Sequence, residues 1–374
     1  MQNSKKEIHS IAFLRGIACL FVALYHLKSS APHDSIFYNL FKFGAFGVDL
    51  FFMISGFVIV IATTNDKRVD SFLIKRLFRI YPPLVLAVLF QIYFNNKPLL
   101  FSEFLSSIIP LHNNYTGKAP DYGYSFLIVA WSITYELAFY LIFMISMWIS
   151  HRYRALVCSI IIILSVAGSQ AYFNGDVNLM YAWAAPIVTE DFGSMQFMRV
   201  FGCSIMLEFI VGMALAYAYT NVRIVDSARN RKALVLFAVM SAMYIIPSYL
   251  GGYNRGVGLA GYGTWSVLIL LTALWAEKIN AVNWNRKMIF VGAISYSLYL
   301  FHIPVHEVIK SLNPSGFDQI KNIEIRAVCI MLFELTAAIM VAYLSYLFIE
   351  NPSIKLARSI LNYTGKLRIA TSAK

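Results

Sequence analysis

The sequence predicts an all-α, polytopic integral membrane protein with about ten transmembrane helices, and two observations lead to this fold class. First, 59% of the 374 residues are hydrophobic, only 13% are charged, and the mean hydropathy is +0.64, unlike a soluble globular domain. Second, apolar runs of about 20 residues, long enough to cross a bilayer core, recur along the chain. They leave no soluble insertion, so we expect one membrane domain over 1–374, with a core at 8–352 and a basic tail at 353–374.

Hydropathy places ten spans in chain order. The third is short, and the stretch "LLFSEFLSSIIPLH" at 99–112 predicts a half-helix or a re-entrant segment. The predicted spans cover 8–28, 41–63, 80–95, 124–149, 155–173, 200–220, 233–250, 259–276, 288–307 and 326–349.

The charge pattern predicts that both termini are cytoplasmic. With the N-terminus inside, most of the 31 lysines and arginines fall in cytoplasmic segments, as the positive-inside rule requires. These residues occupy short gaps between apolar runs, so the net charge of +12 does not indicate a nucleic-acid partner. All four cysteines lie inside apolar runs without metal-ligand spacing, so we expect neither disulfides nor a metal.

Two ionisable residues lie on one face of the first predicted helix. Arg15 and His26 are eleven positions apart, which places them within about 20° of the same face and about 16 Å apart along the axis. Ionisable groups inside a membrane usually serve function and have a partner. The face between them carries Ala18, Cys19 and Val22. This small-residue stripe favours close packing of another helix, or alternatively a groove for a thin ligand.

The second helix carries a candidate partner for His26. Asp49, in "GVDLFFMISGF", lies less than three turns into that helix and at a depth similar to His26. A carboxylate bonded to one ring nitrogen would fix the tautomer and leave the other nitrogen free as a base. Alternatively, Asp49 is structural and satisfies a buried histidine or caps a backbone break.

Further polar residues are candidates for the same cavity. Glu136 lies near the middle of the fourth helix, and His302 lies in the ninth, where Ser295 and Tyr299 share roughly its face. A proton relay or a hydroxyl-lined sugar site would suit these groups. Satisfied interhelical hydrogen bonds would suit them equally well.

A pair of arginines precedes the third predicted span. In "KRLFRIYPP", Arg76 and Arg79 are one helical turn apart, just before Pro82 and Pro83 are expected to break or restart the helix. Two guanidiniums on one face can bind phosphate oxygens. Arginines that flank a span are also commonly topogenic or lipid-facing, so both interpretations stay open.

Taken in order, these motifs resemble the membrane-bound acyltransferase 3 family, and the bacterial O-antigen and exopolysaccharide O-acetyltransferases within it. The similarity runs from residue 10 to about 352, nearly the whole chain. Six motifs carry it: the Arg15–His26 spacing, "GVDLFFMISGF", "RLFRIYPP", "WSITYELAFY", "SYSLYLFHIPV" and "FIENP".

The resemblance implies a multi-pass enzyme of the bacterial inner membrane that moves an acyl group, usually acetyl, from cytoplasmic acetyl-CoA to a glycan hydroxyl of the cell envelope. By position, His26 would be the catalytic histidine, Arg15 its motif partner, and Arg76 and Arg79 the basic pair associated with the acyl donor. Some relatives carry an additional esterase-like domain. We expect transfer to be completed within the membrane domain. Whether the acceptor is lipid-linked, and the oligomeric state, stay open.

The residues and the resemblance together predict a mechanism. The pantetheine arm of the donor would follow the small-residue groove on the first helix to His26, which, oriented by Asp49, would deprotonate a sugar hydroxyl. An acyl-histidine intermediate is the alternative route. The rival class is a proton-coupled membrane transporter of a small solute or glycan precursor, since buried carboxylates and histidines in a ten-helix bundle also suit a carrier.

Overall fold

The computed structural model describes residues 8–95, 101–109, 112, 115–188, 195–253, 256–312, 315–317 and 319–372. It is 78% helical, and the described residues form no strand. Fifteen α-helices follow one another along the chain. They are α1 (His9–Leu27), α2 (Ile36–Phe41), α3 (Phe46–Thr63), α4 (Val69–Asn95), α5 (Phe101–Ile108), α6 (Ala130–Ile149), α7 (Arg154–Asn174), α8 (Met198–Phe201), α9 (Leu207–Asn221), α10 (Ala228–Gly251), α11 (Thr264–Lys278), α12 (Arg286–Ala293), α13 (Ser295–Leu312), α14 (Ile323–Ser345) and α15 (Asn351–Ser372).

Within these ranges, eight helices are long and apolar enough to cross a membrane, and two bent helix pairs raise the number of spans to as many as ten. The predicted all-α membrane fold is therefore confirmed, and each predicted span has a counterpart in chain order. The short helix α5 lies in the stretch expected to hold a half-helix. The cytoplasmic placement of both termini stays a prediction.

The third span differs from the prediction. It begins at Val69, not at residue 80, and α4 continues through Pro82 and Pro83. A proline removes one backbone hydrogen bond, but a helix in a membrane is not opened by competing water, and neighbouring groups satisfy freed carbonyls. The two prolines leave the carbonyls of Phe78 and Arg79 without their helical donors, and the hydroxyl of Tyr296 donates to the adjacent carbonyl of Ile80 at 3.0 Å. The helix thus carries Arg76 and Arg79 inside the span.

Two predicted spans are broken. The helices α12 and α13 form one pair, bent by 71° at Ile294, and the segments Met195–Gly202 and Ser204–Asn221 form another, bent by 46°. The first break places Ser295 at the start of a half-helix inside the bundle. The expected continuous helix over 288–307 is therefore wrong.

The predicted basic tail is helical. Helix α14 continues through the turn Tyr346–Glu350 into α15, and α15 packs against α4. Ala357 and Leu361 on α15 are 1% and 7% exposed, so this part of the tail belongs to the packed bundle.

Close helix approach positions the core of the molecule. A Cβ added at Gly212 of α9 would lie 1.9 Å from the carbonyl oxygen of Met53, and one added at Gly56 of α3 would lie 2.2 Å from that of Phe209. Small residues let backbones approach in this way where lipid supplies no hydrophobic drive. The pair α3–α9 is thereby fixed beside the polar residues of α3.

Candidate active site

A cavity with about 810 Å³ of non-atom space, including its open mouth, lies between α1, α3, α4, α6 and α13. Three guanidiniums line it, those of Arg15, Arg76 and Arg79, together with one carboxylate, Glu136. None of the ion pairs formed among the described residues involves these arginines. The cavity therefore carries an excess of positive charge, which suits an anionic ligand.

Arg15 is held at the break between α12 and α13. One of its terminal nitrogens donates to Ser295 Oγ at 3.0 Å, and Ser295 Oγ donates to the carbonyl of Gly292 at 2.9 Å. The thiol of Cys19, one turn along α1, donates to the carbonyl of Ser295 at 3.2 Å. Ser295 thus links the Arg15 face of α1 to the broken helix.

Arg76 and Arg79 enter the cavity from the first half of α4. The guanidinium of Arg76 lies 5.2 Å from the ring centre of Tyr140 and 5.7 Å from that of Phe72, within the range of cation–π attraction. Its Nε is buried and has no hydrogen-bond partner among the described residues. Both arginines line the cavity, which a purely topogenic or lipid-facing pair would not do.

Glu136 faces the arginines across the cavity. Its Oε1 accepts hydrogen bonds from Ser55 Oγ, at 3.1 Å, and from the hydroxyl of Tyr140. A buried carboxylate needs hydrogen-bond donors or cations to offset its loss of hydration. Here two hydroxyls donate to Glu136, and three guanidiniums line the same cavity. The predicted partner for this carboxylate is therefore a set of hydroxyls from α3 and α6.

Tyr299 and Ser132 line the other end of the cavity. Their hydroxyls lie 2.7 Å apart, and the Tyr299 hydroxyl also donates to the carbonyl of Val129 at 3.1 Å. The ring centre of Tyr299 lies 5.9 Å from that of His302. Tyr299 thus stands between the cavity and the histidines.

His26 and His302 lie side by side outside the cavity lining, with ring centres 5.2 Å apart. His302 is fully buried, and its Nδ1 donates to the carbonyl of Leu298 at 3.1 Å. Its Nε2 has no partner in the described ranges. The sequence made His302 and Glu136 candidates for one cavity with His26. The structure brings the two histidines together at the end of α1 remote from Arg15, but both lie outside the cavity that Glu136 lines.

Asp49 does not bond to His26, and this expectation is corrected. Its Oδ1 accepts from the backbone N–H of Gly258 at 2.9 Å, and its carboxyl lies against that of Glu208 on α9. Both residues are completely buried, and no further donor from the described residues reaches them. A hydrogen bond between the two carboxyls needs one of them to be protonated. The rotation of α3 turns Asp49 toward α9 and away from the histidine.

The small-residue stripe on α1 is packed. Ala18, Cys19 and Val22 are at most 2% exposed and do not line the cavity. A Cβ on Gly47 of α3 would lie 2.4 Å from the carbonyl oxygen of Ala18 and 2.8 Å from a methyl carbon of Val22. The close helix packing that the stripe favoured is therefore present, and the alternative, a groove for a thin ligand, is wrong because α3 fills this face.

Sequence reasoning missed three ionisable residues, Glu208, Glu334 and His306. Glu208 lies against Asp49, and Glu334 on α14 lies within hydrogen-bonding distance, 2.9 Å, of Nδ1 of His306 on α13. The rule that singled out Glu136, an ionisable residue in an apolar run, would also have found Glu208 and Glu334. As for metals, no group of three or more ligand side chains occurs in the part of the chain that the structure describes.

Comparison with known proteins gives consistent matches. A family model described as "Acyltransferase domain" matches residues 8–353. The chain is 24% identical over 353 residues to the exopolysaccharide production protein ExoZ of Rhizobium meliloti (strain 1021), a match that covers 90% of this chain and 96% of that protein.

It is also 23% identical over 384 residues to the O-acetyltransferase OatA of Staphylococcus aureus (strain NCTC 8325 / PS 47), covering 93% of this chain and 57% of that protein. The chain thus corresponds to little more than half of the length of OatA. No solved structure matches it.

Proposed function

The chain belongs to the acyltransferase family whose model it matches over residues 8–353, and from that premise we propose that it transfers an acetyl group from acetyl-CoA to a sugar hydroxyl of a cell-envelope polysaccharide. The acceptor would be a glycan such as O-antigen or exopolysaccharide, and the enzyme would lie in the inner membrane of a bacterium. ExoZ, by its name, takes part in exopolysaccharide production, which supports a glycan acceptor. The family assignment favours this enzyme over the proton-coupled transporter.

The cavity with three guanidiniums is the observation that carries the proposal. An unpaired cation in a membrane costs at least about 2.5 kcal/mol, and three of them around one cavity call for an anion of similar charge. The phosphates of CoA supply that charge, and planar guanidiniums bind phosphate oxygens in pairs. Arg76 and Arg79 are assigned to these phosphates, with Arg15, held by Ser295, closing the site.

The chemistry is assigned to the histidine end. With the donor on the arginines, its thioester extends past Tyr299 toward His26, which removes the proton from an acceptor hydroxyl. The oxygen forms a bond to the acyl carbon, the carbon–sulfur bond breaks, and CoA leaves as thiolate. General-base assistance of this kind contributes about 10² to 10⁴-fold in rate. Glu136 balances the charge of the arginines, and its hydroxyl partners fix its position.

The donor site is tested by calorimetry on the purified chain in nanodiscs. We expect acetyl-CoA to bind the wild type and binding to be lost in the double variant Arg76→Ala with Arg79→Ala. Arg152→Ala is the matched control, because Arg152 is exposed and lies outside the cavity. Binding that survives in the double variant would overturn the assignment of the arginines.

The catalytic assignment is tested by transfer of labelled acetyl to de-O-acetylated envelope polysaccharide. We expect His26→Ala to remain folded, to bind acetyl-CoA and to lose transfer by at least about 10²-fold. His33→Ala serves as the control, because His33 is exposed and packs only against Tyr38 in the described chain. Wild-type transfer by His26→Ala would remove His26 from the mechanism.

A further inference from the structure

A third histidine, His306, lies at the same end of the molecule as His26 and His302, and it is the one oriented by a carboxylate in the described chain. Nδ1 of His306 lies 2.9 Å from Oε1 of Glu334, and the side chains are 12% and 2% exposed. Ser30 Oγ donates to both oxygens of Glu334, at 3.3 and 3.1 Å. Glu334 is thus fixed by two partners from separate elements, and the His306 ring is fixed in turn.

The pairing determines what each ring nitrogen of His306 can do. A carboxylate accepts, so Nδ1 carries the proton, and Nε2 presents a lone pair. That nitrogen lies 3.4 Å from the hydroxyl of Ser29. His302 has a backbone carbonyl on Nδ1 instead, and neither His302 nor His26 has a carboxylate partner in the described chain. The arrangement predicted for His26 and Asp49 therefore exists at His306 and Glu334.

The position of Ser29 indicates what binds at Nε2. Ser29 is exposed just after α1, and its one hydroxyl proton is donated to the carbonyl of His26 at 3.0 Å. Ser29 therefore supplies no proton to His306 Nε2, although its oxygen lies beside that nitrogen on the exposed surface, one turn from His26. A sugar hydroxyl next to Ser29 can donate the missing hydrogen bond.

We propose that His306, oriented by Glu334, forms an acceptor subsite for a polyhydroxyl sugar, in which Nε2 accepts a hydrogen bond from a hydroxyl neighbouring the one that reacts at His26. Because pyranoses carry adjacent hydroxyls, one sugar can engage both histidines. The subsite offers a hydrogen-bond acceptor and contains no guanidinium, in contrast to the cationic cavity at the other end, and it recognises a glycan and not the donor. It rests on the proposed function.

The test is steady-state transfer of acetyl from acetyl-CoA to envelope polysaccharide from cells lacking this chain, de-O-acetylated with mild base. We expect His306→Ala to raise the acceptor KM about tenfold, the value of one hydrogen bond, with the affinity for acetyl-CoA unchanged and kcat within about threefold. Glu334→Gln keeps an acceptor oxygen for Nδ1, so it should leave the acceptor KM within about threefold of wild type.

Glu307→Gln is the matched control, because the neighbouring carboxylate of Glu307 bonds to Gln91 on α4. This variant should leave the acceptor KM unchanged. An acceptor KM within twofold of wild type in His306→Ala, with wild-type transfer intact, would overturn the subsite and leave the proposed function standing. Absence of transfer by the wild type would overturn the proposed function. Acetyl trapped on Ser29 and identified by mass spectrometry would replace the subsite with a covalent relay.

Discussion

Replacing Gly292 with alanine tests whether the contact between α1 and α12 sets the geometry of the arginine cavity. An added Cβ at Gly292 would lie 1.8 Å from the carbonyl oxygen of Ala12, where real side-chain carbons essentially never come within 3.0 Å. The obstacle is backbone and cannot rotate away. The two helices must therefore separate by about 1.2 Å or more. A close-packed protein interior has little free space, so the displacement passes to the neighbouring residues.

The separation acts directly on Arg15. The carbonyl of Gly292 accepts from Ser295 Oγ, which accepts from Arg15 at 3.0 Å, so a shift of about 1.2 Å takes the Arg15 contact beyond hydrogen-bonding distance. Misplacement by about 1 Å can cost about 10²-fold in rate. We expect kcat/KM for acetyl transfer to fall about 100-fold, and the free energy of unfolding to fall by about 1–3 kcal/mol.

The assay is transfer from labelled acetyl-CoA by protein in nanodiscs, with thermal unfolding measured in parallel. Gly168→Ala on α7 is the matched control, because a Cβ there would meet nothing within 4 Å. It should keep wild-type activity and gain about 0.5–1 kcal/mol from helix propensity. If Gly292→Ala transferred acetyl within twofold of the wild type, the reasoning that ties this packing contact to the cavity would be refuted.

Three further outcomes are expected. Asp49→Asn supplies a donor to Glu208, so transfer should stay within about threefold of wild type by the labelled-acetyl assay. A loss of about 10²-fold would instead support a catalytic role of Asp49 with His26. Arg199→Met removes donors from buried loop carbonyls and should lower the unfolding free energy by about 2–4 kcal/mol in thermal unfolding, because those acceptors lose their partner; an unchanged melting temperature would contradict this. Burial lowers the pKa of His112 to about 4, so its contribution to stability is complete above pH 6.5 and is lost progressively as pH falls toward 4, by up to about 3 kcal/mol. The protection factors of the amides in 115–129, corrected for the intrinsic exchange rate, should therefore be lower at pH 5 than at pH 7, and His112→Phe should remove that difference.

The spans could be predicted because hydropathy depends only on local sequence, whereas their breaks could not. Pro82 and Pro83 look like a helix end, yet α4 runs through them. Ile294 carries no breaking signal, yet α12 and α13 bend by 71° there. The hydrogen bonds of Ser295 to Gly292 and Arg15 stabilise that break, and contacts between distant parts of the chain are invisible to a local rule.

In the candidate site, too, local sequence predicted one property, the depth of each ionisable residue, and not another, its side-chain partner. The depth of an ionisable residue follows from its place in the span, and it made Glu136 and His302 candidates for one cavity with His26. In the structure Glu136 instead shares a cavity with Arg15, Arg76 and Arg79, and His26 and His302 lie outside its lining. Which neighbour a side chain meets depends on helix rotation and packing. Asp49 has the expected depth but faces Glu208, and no periodicity in α3 alone could distinguish that neighbour from His26.

The distribution of charge along the bundle separates the proposed donor site from the proposed acceptor site. Three guanidiniums, none in an ion pair with a carboxylate of the described chain, surround the cavity. The end of the bundle near His26 and His302 instead holds histidines and the carboxylate of Glu334, which is hydrogen-bonded to His306. An anionic donor is therefore stabilised at one end only, and a neutral glycan loses nothing by binding at the other. The ring of Tyr299 lies between the two ends, so the part of the donor that passes it must be narrow and uncharged, as a thioester arm is. This arrangement lets each substrate reach the reacting atoms from its own side without competing for the same surface.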